Sequence, residues 1–104
     1  MGKIKSGKSS GNVFADLGLE DAKEHLLRVK LAVRLLRQVE SLGLTQTKAA
    51  EILGISQPEL SRLKHAKLEH FSSDRLIRLL DKIGLDVSFT IRDRKTKETE
   101  TILV

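Results

Sequence analysis

Two planar side chains that can each make paired hydrogen bonds, Gln57 and Arg62, flank the dipeptide Pro58-Glu59 in the segment QPELSRLK. A glutamine amide matches the N6/N7 edge of adenine, and an arginine fork matches O6 and N7 of guanine. Glu59 can accept from cytosine N4, while Pro58 offers only apolar contact, for instance to a thymine methyl. Around this set, Gln46, Lys48, Ser56, Ser61, Lys64 and Lys67 carry the donors and charges that grip phosphate oxygens without reading sequence. Glu59 has a competing use, because Ser56 three residues earlier completes the S-x-x-E pattern of a helix capping box.

Little else in the chain is suited to chemistry. There is no cysteine, which excludes disulfides, thiolate zinc sites and a cysteine nucleophile. His25, His65 and His70 show no metal-ligand spacing with carboxylates beyond the adjacent Glu69. The GKSSG of residues 7–11 lacks the glycine spacing and the preceding strand of a phosphate-binding loop. Glu20 and Asp21 sit at a helix start, where the macrodipole accounts for paired carboxylates. The expectation is a protein that is not an enzyme and uses no metal or cofactor.

The reading groups need a scaffold, and the stretch TQTKAAEILGISQPELSRLKHAK (Thr45–Lys67) supplies one. Thr45 is an N-cap, and Ala49, Ala50 and Leu53 recur on one face with Ile52 beside them. The paired alanines let two steeply crossing helices approach closely. Gly54 ends the first helix, Ile55 plugs the turn from beneath, and Ser56 caps a second helix with Pro58 in its first turn. Leu60 and Leu63 face inward, leaving Gln57, Glu59, Ser61, Arg62 and Lys64 to point elsewhere. This is the spacing of a helix-turn-helix, whose second helix enters the major groove. A plain αα-hairpin in a helical domain would use the same caps and the same glycine.

Thr45–Leu63 resembles, without a gap, the helix-turn-helix of the λ-repressor/Cro-like (XRE) regulators, which carry TQ-x-x-x-A-x-x-x-G-(I/V)-S-Q-x-x-(I/V/L)-S. Ala66 departs from that pattern, since the family often has glycine after the recognition helix. The flanks GNVFADLG (Gly11–Gly18) and IGLDVSFTI (Ile83–Ile91) resemble HigA-type antitoxins, small repressors encoded beside a toxin. The resemblance implies a mainly α fold, a λ-repressor-like DNA-binding bundle of about five helices with a C-terminal β-strand or hairpin. It implies double-stranded DNA as partner, autoregulation of an operon, and a cognate toxin resembling a RelE-fold mRNA endonuclease. A stand-alone XRE-type regulator and a pure protein-interaction module are the alternatives.

The remaining chain divides into three parts. Residues 1–11 (MGKIKSGKSSG) are basic and nearly devoid of apolar side chains, as expected of a flexible arm. Residues 12–85 form the helix-turn-helix domain: a tie-down at Asn12–Leu19, then a helix capped by Asp21 and ending near Gly43. Leu26, Val29, Val33 and Leu36, joined by Leu31, Leu35, Val39 and Leu42, should give this helix a wide buried face opposite Lys30, Arg34 and Arg37. After a loop at His65–Phe71, Ser73 should cap a last helix that stops at Gly84. In residues 86–104, Val87, Phe89 and Ile91 alternate with polar residues as in a strand, and Thr101–Val104 can return alongside.

A lone strand or hairpin leaves edges unpaired, so residues 86–104 are expected to join two copies into a homodimer through Val87, Phe89 and Ile91. Such a dimer would place two recognition helices about 34 Å apart on an inverted-repeat operator. The 104 residues carry 19 Lys+Arg against 14 Asp+Glu, a net +5 that suits nucleic acid without demanding it. Phe14, Phe71 and Phe89 are the only aromatics, too few for base-stacking platforms. No apolar run approaches the roughly 20 residues of a membrane span, and the basic N-terminus lacks a signal peptide's apolar stretch. The expected location is therefore the cytoplasm, without a membrane partner.

Overall fold

The computed structural model describes residues 20–104, so the expected arm at 1–11 and tie-down at Asn12–Leu19 lie outside the described residues. Four helices and a hairpin follow one another: α1 (Glu20–Ser41), α2 (Gln46–Leu53), α3 (Gln57–Lys64), α4 (Ser73–Lys82), β1 (Ser88–Arg92) and β2 (Thr99–Leu103). The bundle thus has four helices among the described residues, where about five were expected. No described helix is long and apolar enough to cross a membrane.

One apolar core joins the helices. Leu35 of α1, Leu53 of α2, Leu60 and Leu63 of α3, Leu76 and Leu80 of α4, and Phe71 from the loop are fully enclosed. Ala49 and Ala50 are also buried, as the close crossing of α2 requires. The buried stripe of α1 is narrower than its apolar content suggests. Ala32, Leu35 and Val39 are buried, but Leu26, Val33 and Leu42 are about half exposed, because α4 and its neighbours cover only one side of the helix. Asp21, expected ahead of α1 as its cap, lies inside the helix.

Polar ties fix α1 against the far end of the domain. Ser73 Oγ donates to Glu24 Oε2 at 2.7 Å, Glu24 Oε1 meets Arg28 Nε at 2.8 Å, and Arg28 Nη1 donates to the Leu68 carbonyl at 3.0 Å. This employment of Ser73 corrects its expected role. The N-cap of α4 is Ser72, whose hydroxyl accepts from Arg75 N, and Ser73 is the first helical residue.

All four helices stop in the same way. A residue with positive φ follows the last turn, and two backbone N–H groups fold back onto carbonyls of that turn. At α2 the residue is Gly54 (φ 71), with Ile55 N donating to Ala50 O at 3.1 Å. Gly43 and Gly84 stand at the equivalent places after α1 and α4. After α3 the residue is Ala66 (φ 58), with Lys67 N on Arg62 O at 2.9 Å and Ala66 N on Leu63 O at 3.1 Å. The turn that usually takes glycine is kept, with a side chain in it.

The hairpin is antiparallel, pairing Phe89 with Ile102, Thr90 with Thr101 and Ile91 with Glu100, while Val104 N donates to Val87 O. Its turn is anchored by Asp93, whose Oδ1 accepts from Lys95 N and Thr96 N, and Lys97 takes a positive φ of 69. The return strand begins at Thr99, two residues before its expected start.

Ala66→Gly should raise the unfolding free energy by about 0.5–1 kcal/mol, since the left-handed alanine costs roughly 1–2 kcal/mol and glycine's added chain entropy offsets part of the relief. Urea denaturation with an unchanged slope measures it. A midpoint that stays put or falls would show that Ala66 is unstrained.

Candidate nucleic-acid interface

The interface is built by α2, the turn at Gly54, and α3. Thr45 caps α2 by accepting from Lys48 N, which leaves Gln46 exposed in the first turn of that helix. Gly54 is required by its backbone, and Lys82 sits close against it. Its φ disfavours other residues, and a Cβ there would stand 3.1 Å from Lys82 Nζ, which itself donates to the Leu53 carbonyl at 3.5 Å. Ile55 is half-buried under the turn. Ser56 and Glu59 then close the expected capping box: Glu59 N donates to Ser56 Oγ at 3.2 Å, and Ser56 N donates to Glu59 Oε1 at 2.9 Å.

With Leu60 and Leu63 buried, Gln57, Pro58, Arg62 and Lys64 are exposed on the outer side of α3, and Ser61 is half-buried. Gln57 is lightly held, its Nε2 donating to Thr47 Oγ1 at 3.3 Å. Arg62, Lys64 and Lys67 make no side-chain bond or ion pair among the described residues. Lys48 is engaged with Glu51 at 3.1 Å, an exposed pair worth a few tenths of a kcal/mol, about 0.5 at most.

Glu59 differs from its neighbours in having both oxygens occupied. Oε1 serves the capping box, and Oε2 takes Arg75 Nη2 at 2.7 Å. Arg75 is itself fixed: Nη1 donates to His70 O at 3.0 Å, and its guanidinium carbon lies 4.7 Å from the centre of the Phe71 ring. The Ser56 N–H and then the Arg75 guanidinium hold the Glu59 carboxyl down at about 2, against an ordinary value of 4.5. Glu59 is thus a rivet between α3 and the start of α4. The Ser56 hydroxyl is likewise taken up within the cap.

Three residues absent from the sequence-derived set belong here. Thr47 steadies Gln57, Arg75 steadies Glu59, and His65 closes the end of α3, with Nδ1 2.8 Å from Ser61 O. Nothing in local spacing links Arg75 to Glu59. His65 carried a signal, since it lies one turn after Ser61 at the helix end. The residues expected to join two copies lie elsewhere, with Phe89 and Ile91 exposed on the hairpin and Val87 half-buried at its root.

Residues 13–92 match a family model described as a helix-turn-helix domain. The chain is also similar to a solved structure titled as an XRE-family transcriptional regulator. The two share 38% identity with a TM-score of 0.70, over 75% of this chain and 88% of that one. No curated protein matches.

The depressed Glu59 carboxyl ties stability to pH. A carboxyl lowered on folding contributes stability that is complete above its unfolded value near 4.5 and is lost as pH falls towards about 2. Glu59→Gln should cost about 1–3 kcal/mol at neutral pH and flatten the acid limb between those values. Unfolding followed by circular dichroism at several pH values measures both. An acid limb identical to that of the native chain would remove the rivet's electrostatic role.

Proposed function

The chain belongs to the helix-turn-helix domain family, and from that premise we propose that it is a sequence-specific DNA-binding repressor acting as a two-fold dimer. The observation that carries this reading is the outward exposure of Gln57, Pro58 and Arg62 along a helix whose Leu60 and Leu63 are enclosed. Arg62, with no bond to give up among the described residues, reads guanine; Gln57 exchanges its long bond to Thr47 for adenine; Pro58 meets a thymine methyl. Glu59 would have to abandon Arg75 and the cap to accept from cytosine, so its part is to hold the helix at its angle. Gln46, Ser61, Lys64 and Lys67 take phosphates, with Lys48 released from Glu51 at small cost. The Ser56 contribution is its cap, which aims the first turn of α3.

The dimer is supported by the hairpin. Directly paired residues share a face, so Val87, Phe89, Ile91, Ile102 and Val104 lie together, and the last four are between 40% and 63% exposed. A two-stranded hairpin is marginal alone, and a second copy would cover this face symmetrically. The antitoxin role rests on the likeness of Ile83–Ile91 to HigA-type chains. In that role the protein neutralises a RelE-like endonuclease encoded beside it and represses the shared operon in the cytoplasm.

Binding to the region upstream of its own gene tests the reading. Arg62→Ala should cost about 1–3 kcal/mol and relax preference at one base position, whereas Lys64→Ala should weaken all duplexes alike and shallow the salt slope by about 1. Equal losses on operator and random duplex from both changes would contradict it. Light scattering should give the mass of two chains, reduced to one by Phe89→Glu with Ile102→Glu. Co-expression with an adjacent short reading frame should give a larger complex. A two-chain mass for the double variant removes the hairpin interface, and no co-purification removes the antitoxin role alone.

A further inference from the structure

Where α3 ends, Ser61, Arg62, His65 and Lys67 surround a cleft of about 300 Å³. Among the described residues, no carboxylate lines it. We propose that this cleft is a DNA backbone-phosphate site in which His65 is the proton-dependent ligand, so that binding to DNA takes up a proton. The proposal rests on the DNA-binding reading above and adds to it a residue and a regulation.

A helix C-terminus ordinarily presents bare carbonyls, which repel anions. Here three of the last four are covered. Ser61 O accepts from His65 N at 3.1 Å and from the His65 ring at 2.8 Å, Arg62 O accepts from His65 N and Lys67 N, and Leu63 O accepts from Ala66 N. The left-handed Ala66 makes this closure possible and turns Lys67 back beside Arg62. What remains is a hydroxyl, a guanidinium, an ammonium and an imidazole around one space large enough for a phosphate.

The ring bond sets the chemistry of His65. A carbonyl can only accept, so Nδ1 carries the hydrogen, and Nε2 of the neutral ring carries a lone pair. That lone pair repels a phosphate oxygen. Protonation at Nε2 converts it into a charged donor, and histidine is the side chain that makes this change between about pH 5 and 8. The charged groups around it are Arg62 from α3, whose fork is committed to guanine in the reading above, and Lys67 from the following loop, the cation that would share a phosphate with His65. Glu69 and His25 line a separate cleft with Arg28, Ala66 and Leu68. A phosphate between His65 and Lys67 therefore stabilises the imidazolium, and by linkage the imidazolium strengthens the phosphate contact.

The test is binding of the full chain to a random duplex of about 30 bp, roughly three helical turns, at about pH 8 and pH 5.5 over a range of salt. The native chain should bind several-fold more tightly at the lower pH. Its log K against log salt slope should also be steeper there by about 0.9 for each chain bound, one extra phosphate neutralised. His65→Gln should lose both differences, and His65→Arg should hold the low-pH affinity and slope at pH 8. His25→Gln and His70→Gln should behave as the native chain. A pH dependence that survives in His65→Gln, or native binding that is equal at the two pH values, overturns the proposal and leaves the DNA-binding reading intact. Failure of the native chain to bind any duplex at either pH overturns that reading as well.

Discussion

A helix of eight residues does not hold itself together in water, because nucleation fixes several dihedrals for each early hydrogen bond. α3 has that length, and everything asked of its outer face depends on how it is pinned. Leu60 and Leu63 pin its inner side to the core. Its first turn is pinned by the Ser56–Glu59 box, and the box is bolted to α4 through Arg75. Its last turn is closed by Ala66 and the His65 ring. Each fastening takes up a polar group that would otherwise compete for a ligand. The side chains left over are those that project outward.

The same logic sorts the cations of the domain. Arg75 has a carboxylate, a carbonyl and an aromatic ring, so removing it strands an ionised Glu59. Lys82 spans to Leu53 O and supports the glycine turn from below, while Arg78 is paired with Asp74 on its own helix. Arg62, Lys64 and Lys67 have no such employment among the described residues, and all three lie on α3 or immediately after it. A net charge of +5 is therefore a poor guide by itself. Lys30 and Arg37 of α1 and Arg92, Arg94, Lys95 and Lys97 of the hairpin are equally unspent among the described residues, so what sets the three on and after α3 apart is their place beside Gln57.

The sequence makes legible whatever is decided within one turn of chain. Thr45, Ser56 and Glu59, Gly54 and Gly84 announce helix ends because a cap and a left-handed stop involve only near neighbours. The strand period at Val87–Ile91 is readable for the same reason. What depends on distant partners is not. Ser72 and Ser73 are equally good caps on paper, and the choice is settled by Glu24, which draws the Ser73 hydroxyl away. The apolar residues of α1 outnumber what three short helices can cover, so Leu26 and Val33 stay exposed although their spacing resembles that of core residues. Glu59 reads equally as base contact or cap until Arg75 is seen to take its second oxygen.

The hairpin sets a different problem, because its strands pack chiefly on one another and all ten strand residues are exposed. Its register is nonetheless well specified. Asp93 collects two N–H groups of the turn, Lys97 supplies the left-handed residue, and a slip of one position would exchange the Thr90 and Thr101 side for the Phe89 and Ile102 side. Specifying register matters only where the two faces have different fates. One face here carries Ser88, Thr90, Arg92, Thr99 and Thr101 with Leu103 at its end, and the other is apolar from Val87 to Val104 except for Glu100. Each large apolar side chain gains up to about 1.5–3 kcal/mol from full burial, and the core reaches only Val87 of this face, leaving Phe89, Ile91, Ile102 and Val104 between 40% and 63% exposed. A second hairpin is the one complementary surface that accompanies every copy of the chain. In the proposed dimer, the two-fold symmetry of paired hairpins would be the symmetry that two recognition helices need to address an inverted repeat.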